Sequence, residues 1–181
     1  NEGGSLSSST NGGNPAISVS NADAVTLIFA CGTDYKMELP NFRGEDPHDA
    51  VTARIKAASK KGYEALKADH VADHSELFSR VELGFDEEIP QIPTDELIKK
   101  YRNMIENNGG DIPTSAEQRA LEIMCYQFGR YLTIAGSRDG ALPTNLQGVW
   151  GEGWFTWYGD YHFNINVQMN YWPTMASNLS E

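Results

Sequence analysis

No apolar run in this 181-residue chain reaches the length that crosses a membrane, and no signal peptide opens it. An initiator methionine is missing as well. The chain starts at Asn1-Glu2-Gly3-Gly4 and stops at Glu181, so it reads as an internal piece of a longer protein, and the missing leader says nothing about location. Positive charge is scarce: 14 Lys and Arg stand against 25 Asp and Glu, for a net charge of −11. That balance argues against nucleic acid as a partner, because phosphate contacts need a basic patch, and it disfavours an anionic membrane surface for the same reason. The two cysteines, Cys31 and Cys125, lie in unrelated predicted elements with apolar neighbours, a setting that predicts buried free thiols rather than a disulfide. Metal-ligand spacing is also lacking. His70 and His74 share a face of a predicted helix, but no third ligand lies nearby and no acid stands in a zincin arrangement. With Asp73 they read as capping and packing residues, and no metal or cofactor is expected.

What the chain does have is concentrated at its end. All four tryptophans, Trp150, Trp154, Trp157 and Trp172, fall between Leu142 and Glu181, together with Phe155, Tyr158, Tyr161, Phe163 and Tyr171. Interleaved with them are the amides Asn145, Gln147, Asn164, Asn166, Gln168 and Asn170, the imidazole of His162, and the carboxylates Glu152 and Asp160. A sugar offers apolar C–H faces and a rim of hydroxyls that donate and accept. Aromatic rings pack the faces, and amides, which also donate and accept, read the rim.

From His162 to Tyr171 polar and apolar residues alternate strictly. In an extended chain residues two apart point the same way, so His162, Asn164 and Asn166 would line one surface, whereas on a helix Asn164 and Asn166 would diverge by roughly 200°. A shared ligand therefore favours an extended or loop conformation sitting in a concavity. A half-buried strand with a solvated amide face accounts for the same alternation.

Along the rest of the chain, residues 1–15 are rich in Gly, Ser and Asn and read as a loop, and Ala16 to Tyr35 reads as two strands turning at Asn21-Ala22-Asp23. Asp46 and Pro47 open a helix that Gly62 interrupts, and a second follows from Tyr63 to Phe78. Val81 to Phe85 is expected as a short strand. Thr94 caps another helix, which fades at Asn107-Asn108-Gly109-Gly110. The strongest helical pattern is Ser115 to Ala135. It has a capping box of Ser115 and Gln118, an end at Gly136, and an apolar face through Ala120, Met124, Phe128, Tyr131 and Ile134 wide enough to predict a buried helix. A last helical segment is expected from Val167 to Asn178, with Pro173 near its start.

The stretch LPTNLQGVW followed by GDYHFNINVQMNYWP resembles the catalytic-domain signature of glycoside hydrolase family 95, the α-1,2-L-fucosidases and related α-L-galactosidases. Phe128-Gly129-Arg130-Tyr131-Leu132, Ser137-Arg138-Asp139-Gly140, His70 to His74, Leu77 to Leu83 and Pro93-Thr94-Asp95 fit the same family in the same order, from about Tyr63 to Glu181. The aromatic insert from Gly153 to Trp157 is closest in feel to secreted or cell-surface bacterial members. The resemblance implies a mixed fold, β then α. Residues 1–44 would be the last strands of a β-sandwich domain, 45–92 a helical linker with a short strand, and 93–181 the first helices of an (α/α)₆ barrel.

The implied reaction is inverting hydrolysis of terminal α-L-fucosyl residues from a fucosylated oligosaccharide, which needs a general acid and a carboxylate that drives the base side. The resemblance implies a Glu and an Asp from later parts of the barrel for these tasks, beyond Glu181, so the isolated piece is expected to be inactive. Asn166 corresponds to the amide that holds the attacking water, Asn164 to its neighbour, and His162 to a sugar-contacting position. Asn145, Gln147, Trp150 and Tyr171 are pocket-wall candidates. The competing reading is a carbohydrate-binding or interaction module without catalysis.

Overall fold

A computed structural model describes residues 2–84, 90–110, 115–151 and 156–181. Two antiparallel strands come first, β1 (Glu2–Asn11) and β2 (Asn14–Ala24). Five helices follow: α1 (His48–Lys61), α2 (Tyr63–Phe78), α3 (Thr94–Asn107), α4 (Ala116–Gly136) and α5 (Asn166–Ala176). A 3₁₀ turn at Thr156–Gly159 precedes the last of them. The chain divides into two compact units, Asn1–Val71 and Ala72–Glu181.

In the first unit the hairpin overturns the expected strand positions. The stretch read as a loop is β1, and the turn lies at Gly12-Gly13, not at Asn21-Ala22-Asp23. The two glycines take φ of 57° and 86°, the paired left-handed geometry that a two-residue hairpin needs, and so place Asn11 opposite Asn14 and Leu6 opposite Val19. A Ser-rich strand exposed along its whole length carries no apolar alternation, which is why its sequence gave no strand signal. The apolar run Val25–Ala30 lies outside the strands, with Leu27 and Phe29 exposed.

Helix α1 starts one residue later than expected, with Pro47 rather than Asp46 at the cap. Asp46 Oδ1 accepts the His48 N–H at 2.9 Å, and the Pro47 carbonyl accepts that of Val51. Gly62, at φ 79°, ends it. Helix α2 has the predicted bounds.

The second unit holds every fully buried side chain among the described residues. Leu97 of α3, Ala120 and Ile134 of α4 form its apolar centre, and Arg130, Thr174 and Ser177 are buried beside them. At the start of α3, Pro93 rather than Thr94 stands at the cap, its carbonyl accepting from Leu97. Helix α4 begins at Ser115, whose Oγ accepts the Gln118 N–H at 3.1 Å. Only that half of the capping box forms, because the Gln118 side chain donates forward to Glu122. The expected all-round burial of α4 is not found. A stripe through Ala120, Arg130 and Ile134 is buried, while Phe128 is 59% exposed and Tyr131 43%. Gly136 is the last helical residue rather than a left-handed stop. A Cβ there would meet Thr144 Cγ2 at 3.1 Å and the Trp150 indole at 3.4 Å, so a larger residue would push these neighbours back by a few tenths of an ångström.

Arg130 joins α4 to the end of α2. Its guanidinium donates to the Val81 carbonyl at 2.8 Å and the Leu77 carbonyl at 3.2 Å, and lies 4.9 Å above the Phe78 ring. Val81 to Gly84 form no strand, and Phe85 lies outside the described residues. In α5, Pro173 falls well inside the helix rather than near its start. Both cysteines are free, as expected, but exposed rather than buried.

Candidate functional site

The segment His162–Ile165 is not a strand. It is a turn that feeds directly into α5, whose first residue is Asn166. His162 takes φ 47° and Ile165 φ 83°, so the period-two geometry expected from the alternation is broken twice. The turn closes on the helix: the His162 carbonyl accepts the Val167 N–H at 3.3 Å, and Gln168 Nε2 donates to the Phe163 carbonyl at 2.6 Å. Asn164 therefore lies in the turn and Asn166 at the helix start, on no common helix. Both are exposed, and among the described residues neither side-chain amide has a hydrogen-bond partner.

The loop that carries Asn145, Gln147 and Trp150 is held to α5 by two adjacent side chains. Asn170 Nδ2 donates to the Asn145 carbonyl at 2.8 Å, and Tyr171 Oη accepts the Thr144 N–H at 2.7 Å. Asn145 is engaged further. Its Oδ1 accepts the Gln147 N–H at 3.0 Å, and its Nδ2 donates to the Gly159 carbonyl at 3.3 Å. Tyr171 also bonds Ser137 Oγ at 3.0 Å and accepts from Thr144 Oγ1 at 3.2 Å. Partial burial pushes its phenol up, but these bonds to Ser137 and Thr144 outweigh it and hold the group below its ordinary value. Tyr171 and Asn145, expected as pocket walls, thus stitch the loop, the end of α4 and α5 together.

Trp150 remains 46% exposed, with its six-membered ring against Gly136 and Gly148. It lines a cavity of about 420 Å³ with Asn145, Gln147, Leu142, Pro143 and Tyr161. Three of the expected wall residues meet there, while Tyr171 lines a separate cavity of about 490 Å³ with Asp73, Ser137 and Arg138. His162 Nε2 stands 3.6 Å from Asp160 Oδ2, an ion-pair distance that attracts only when the imidazole is protonated. Glu152, Trp154 and Phe155 lie outside the described residues.

The carboxylates differ in setting. Asp139 and Asp160 are exposed. Glu181 is paired with Arg80, and the hydrogen bond from that guanidinium holds its carboxyl below the usual range. Of the trio His70, Asp73 and His74, Asp73 pairs with Arg138 and His74 stacks on Phe78 with ring centroids 5.1 Å apart, while His70 is exposed. No group of three or more metal-ligating side chains occurs among the described residues. The anchoring roles of Gln168 and Asn170 were not read from the sequence, and nothing in their spacing separates them from Asn164 and Asn166.

The family model for the Glycosyl hydrolase family 95 catalytic domain matches residues 62–181. The chain is similar to "Probable alpha-fucosidase A" of Aspergillus niger, 37% identical over 166 residues that make up 87% of this chain and 19% of that protein. The protein of the same name from Aspergillus oryzae is 34% identical over 176 residues, 93% of this chain and 23% of that protein. "Alpha-L-fucosidase 2" of Arabidopsis thaliana is 33% identical over 182 residues, 99% of this chain and 20% of that protein. The chain thus spans about a fifth of the length of the curated relatives it matches. No solved structure matches it significantly. On the match of its second unit and the whole of α2, the chain belongs to glycosyl hydrolase family 95.

Proposed function

We propose that the full-length protein is an inverting α-L-fucosidase that removes terminal, α-1,2-linked fucosyl residues from oligosaccharides, with Asn166 and Asn164 positioning the attacking water. One observation supports this reading above the others. Of the amides in the signature, Gln168, Asn170 and Asn145 are occupied by anchoring bonds, while Asn164 and Asn166 stand exposed with no side-chain partner among the described residues. The relatives the chain is similar to, all named as α-fucosidases, supply the sugar. The finer architecture belongs to the same proposal. The hairpin would end a β-sandwich domain over residues 1–44, residues 45–92 would link, and the helices of 93–181 would open an (α/α)₆ barrel.

The chemistry follows from what an amide can do. It holds no proton near neutral pH and is no base, but its carbonyl accepts from a water while its NH₂ donates to a carboxylate. That orients the nucleophile, and a carboxylate elsewhere in the protein supplies the basicity. The acid is also supplied elsewhere. A general acid needs a raised pKa, and the Arg80 guanidinium shifts Glu181 the opposite way. His162, Trp150 and Gln147 would contact the sugar, the indole packing a C–H face.

The test is steady-state kinetics on an α-1,2-fucosyl oligosaccharide, with circular dichroism to confirm folding. An amide that acts on the water tightens its contact in the transition state, so Asn166→Gly should lower kcat by about 10²–10⁴-fold, the usual worth of acid–base participation, with little change in KM. Asn166→Asp should not rescue, because a second carboxylate beside the activating one raises one pKa of the pair. A kcat near wild type for Asn166→Gly would leave Asn166 a surface amide, and sugar binding without turnover in the wild type would favour a carbohydrate-binding module.

A further inference from the structure

The segment between Gly159 and Asn170 carries both candidate amides, and one residue of another loop grips both of its ends. Asn145 Nδ2 donates to the carbonyl of Gly159, and the Asn145 carbonyl accepts from Asn170 Nδ2 at 2.8 Å. The same carbonyl accepts the Gly148 N–H at 3.0 Å, so both its lone pairs are filled. Between these anchor points the chain makes a turn through two non-glycine residues of positive φ, His162 and Ile165, and enters α5 at Asn166. Such a turn persists only where its surroundings over-determine it. Asn170 lies four residues after Asn166, on the same helical face, and is half-buried where Asn166 is exposed.

We infer that Asn170 and Asn145 are a positioning pair: they staple the turn that carries Asn164 and Asn166, and thereby set the direction in which the Asn166 amide meets its water. The inference rests on the reading of Asn166 given above. Neither staple residue needs to touch substrate. Asn170 is not exchangeable for aspartate, although the two are isosteric. A carboxylate at this position is an acceptor only, and it would face the Asn145 carbonyl, another acceptor.

The test uses the full-length enzyme and compares wild type with Asn170→Asp, Asn170→Ala, Asn166→Gly and the double variant Asn166→Gly/Asn170→Asp. Turnover of an α-1,2-fucosyl oligosaccharide is read at saturating substrate, with enzyme excess where turnover is slow, and thermal unfolding is followed in parallel. Misplacing a reacting group by about 1 Å costs up to about 100-fold, so each Asn170 variant is expected to lose about 10- to 100-fold in kcat with KM changed less than about threefold. In the Asn166→Gly background the Asn170→Asp change should then lower kcat less than about twofold, because the group it positions has gone. A residue that only held the fold together would show the same fractional loss in both backgrounds, following the melting curve.

If Asn170→Ala does not fold, Asn170→Asp, which keeps the side-chain volume, carries the test. A wild-type kcat in Asn170→Asp, or an undiminished loss in the double variant, overturns the staple while leaving Asn166 in place. A wild-type kcat in Asn166→Gly overturns the reading of Asn166, and the staple with it.

Discussion

Ile165 separates the two candidate amides with φ 83° and ψ −36°. A β-branched side chain at positive φ costs of order 1–3 kcal/mol, and glycine adopts the same geometry without that strain. Glycine loses roughly 0.5–1 kcal/mol through its freer unfolded chain, and little burial is forfeited because Ile165 is already half exposed. Strain relief should win. Ile165→Gly is expected to leave the full-length protein as stable or up to about 1 kcal/mol more stable, by thermal unfolding, while kcat falls as the turn loosens. A loss of stability together with an unchanged kcat would show that the isoleucine is there for packing. None of this was legible in the residues. The alternation from His162 to Tyr171 is a real pattern, but period two describes only the local chain. It is overridden by a bond back to the turn, from Gln168 to the Phe163 carbonyl, and by one to another loop, from Asn170 to the Asn145 carbonyl. The residue types were therefore readable and their division of labour was not.

At the scale of elements, local chemistry was the dependable guide. Helix α4 begins where Ser115 can accept from Gln118, α1 ends at Gly62, and α2 runs from Tyr63 to Phe78 as its pattern required. Errors arose where an element depends on something without apolar signal, as in β1, whose position follows from the Gly12-Gly13 turn. They also arose where a face was counted as covered because it is apolar, as with Phe128 and Tyr131. The contact of α3 with α4 carries a pH dependence. The hydrogen bond from Lys100 holds the Glu117 carboxyl below its ordinary 4.5. A depressed folded value means that its contribution is fully present above 4.5 and is lost as pH falls through the folded value. The unfolding midpoint of wild type should therefore exceed that of Glu117→Gln at neutral pH, and the gap should close as acidification carries the pH through the lowered folded value. Because the Lys100 end of the pair is exposed to solvent the gap will be small. A gap independent of pH would show that the pair contributes nothing.

For the whole molecule, the family was legible because its motif is long and ordered, whereas composition alone reached no further than an acidic globular chain. Charge sets a boundary: a net −11 is compatible with a neutral ligand and offers few cations for a phosphate. The two units differ in how they are held. In the first, no described side chain is fully buried, and a two-stranded ribbon with uncovered faces is marginal in water. In the second, a small apolar centre is reinforced by polar ties.

One of those ties decides where the chain can tolerate extra length. Arg130 grips the carbonyls of Leu77 and Val81, one inside the last turn of α2 and one beyond it, and so measures the distance between them. A residue inserted after Ser79 would displace Val81 by about 3.3 Å, more than a hydrogen bond can stretch, and would strand a buried guanidinium. One serine inserted between Gly109 and Gly110, both exposed and at positive φ, disturbs only the bond from the Gly110 N–H to the Ile105 carbonyl, which the new residue's own N–H can make instead. The first insertion should abolish soluble expression of the full-length protein and the second should leave it unchanged. Equal yields would mean that Arg130 follows its partners instead of fixing them. In the natural history of such chains, length variation should therefore gather at the glycine turn and be absent between α2 and Val81.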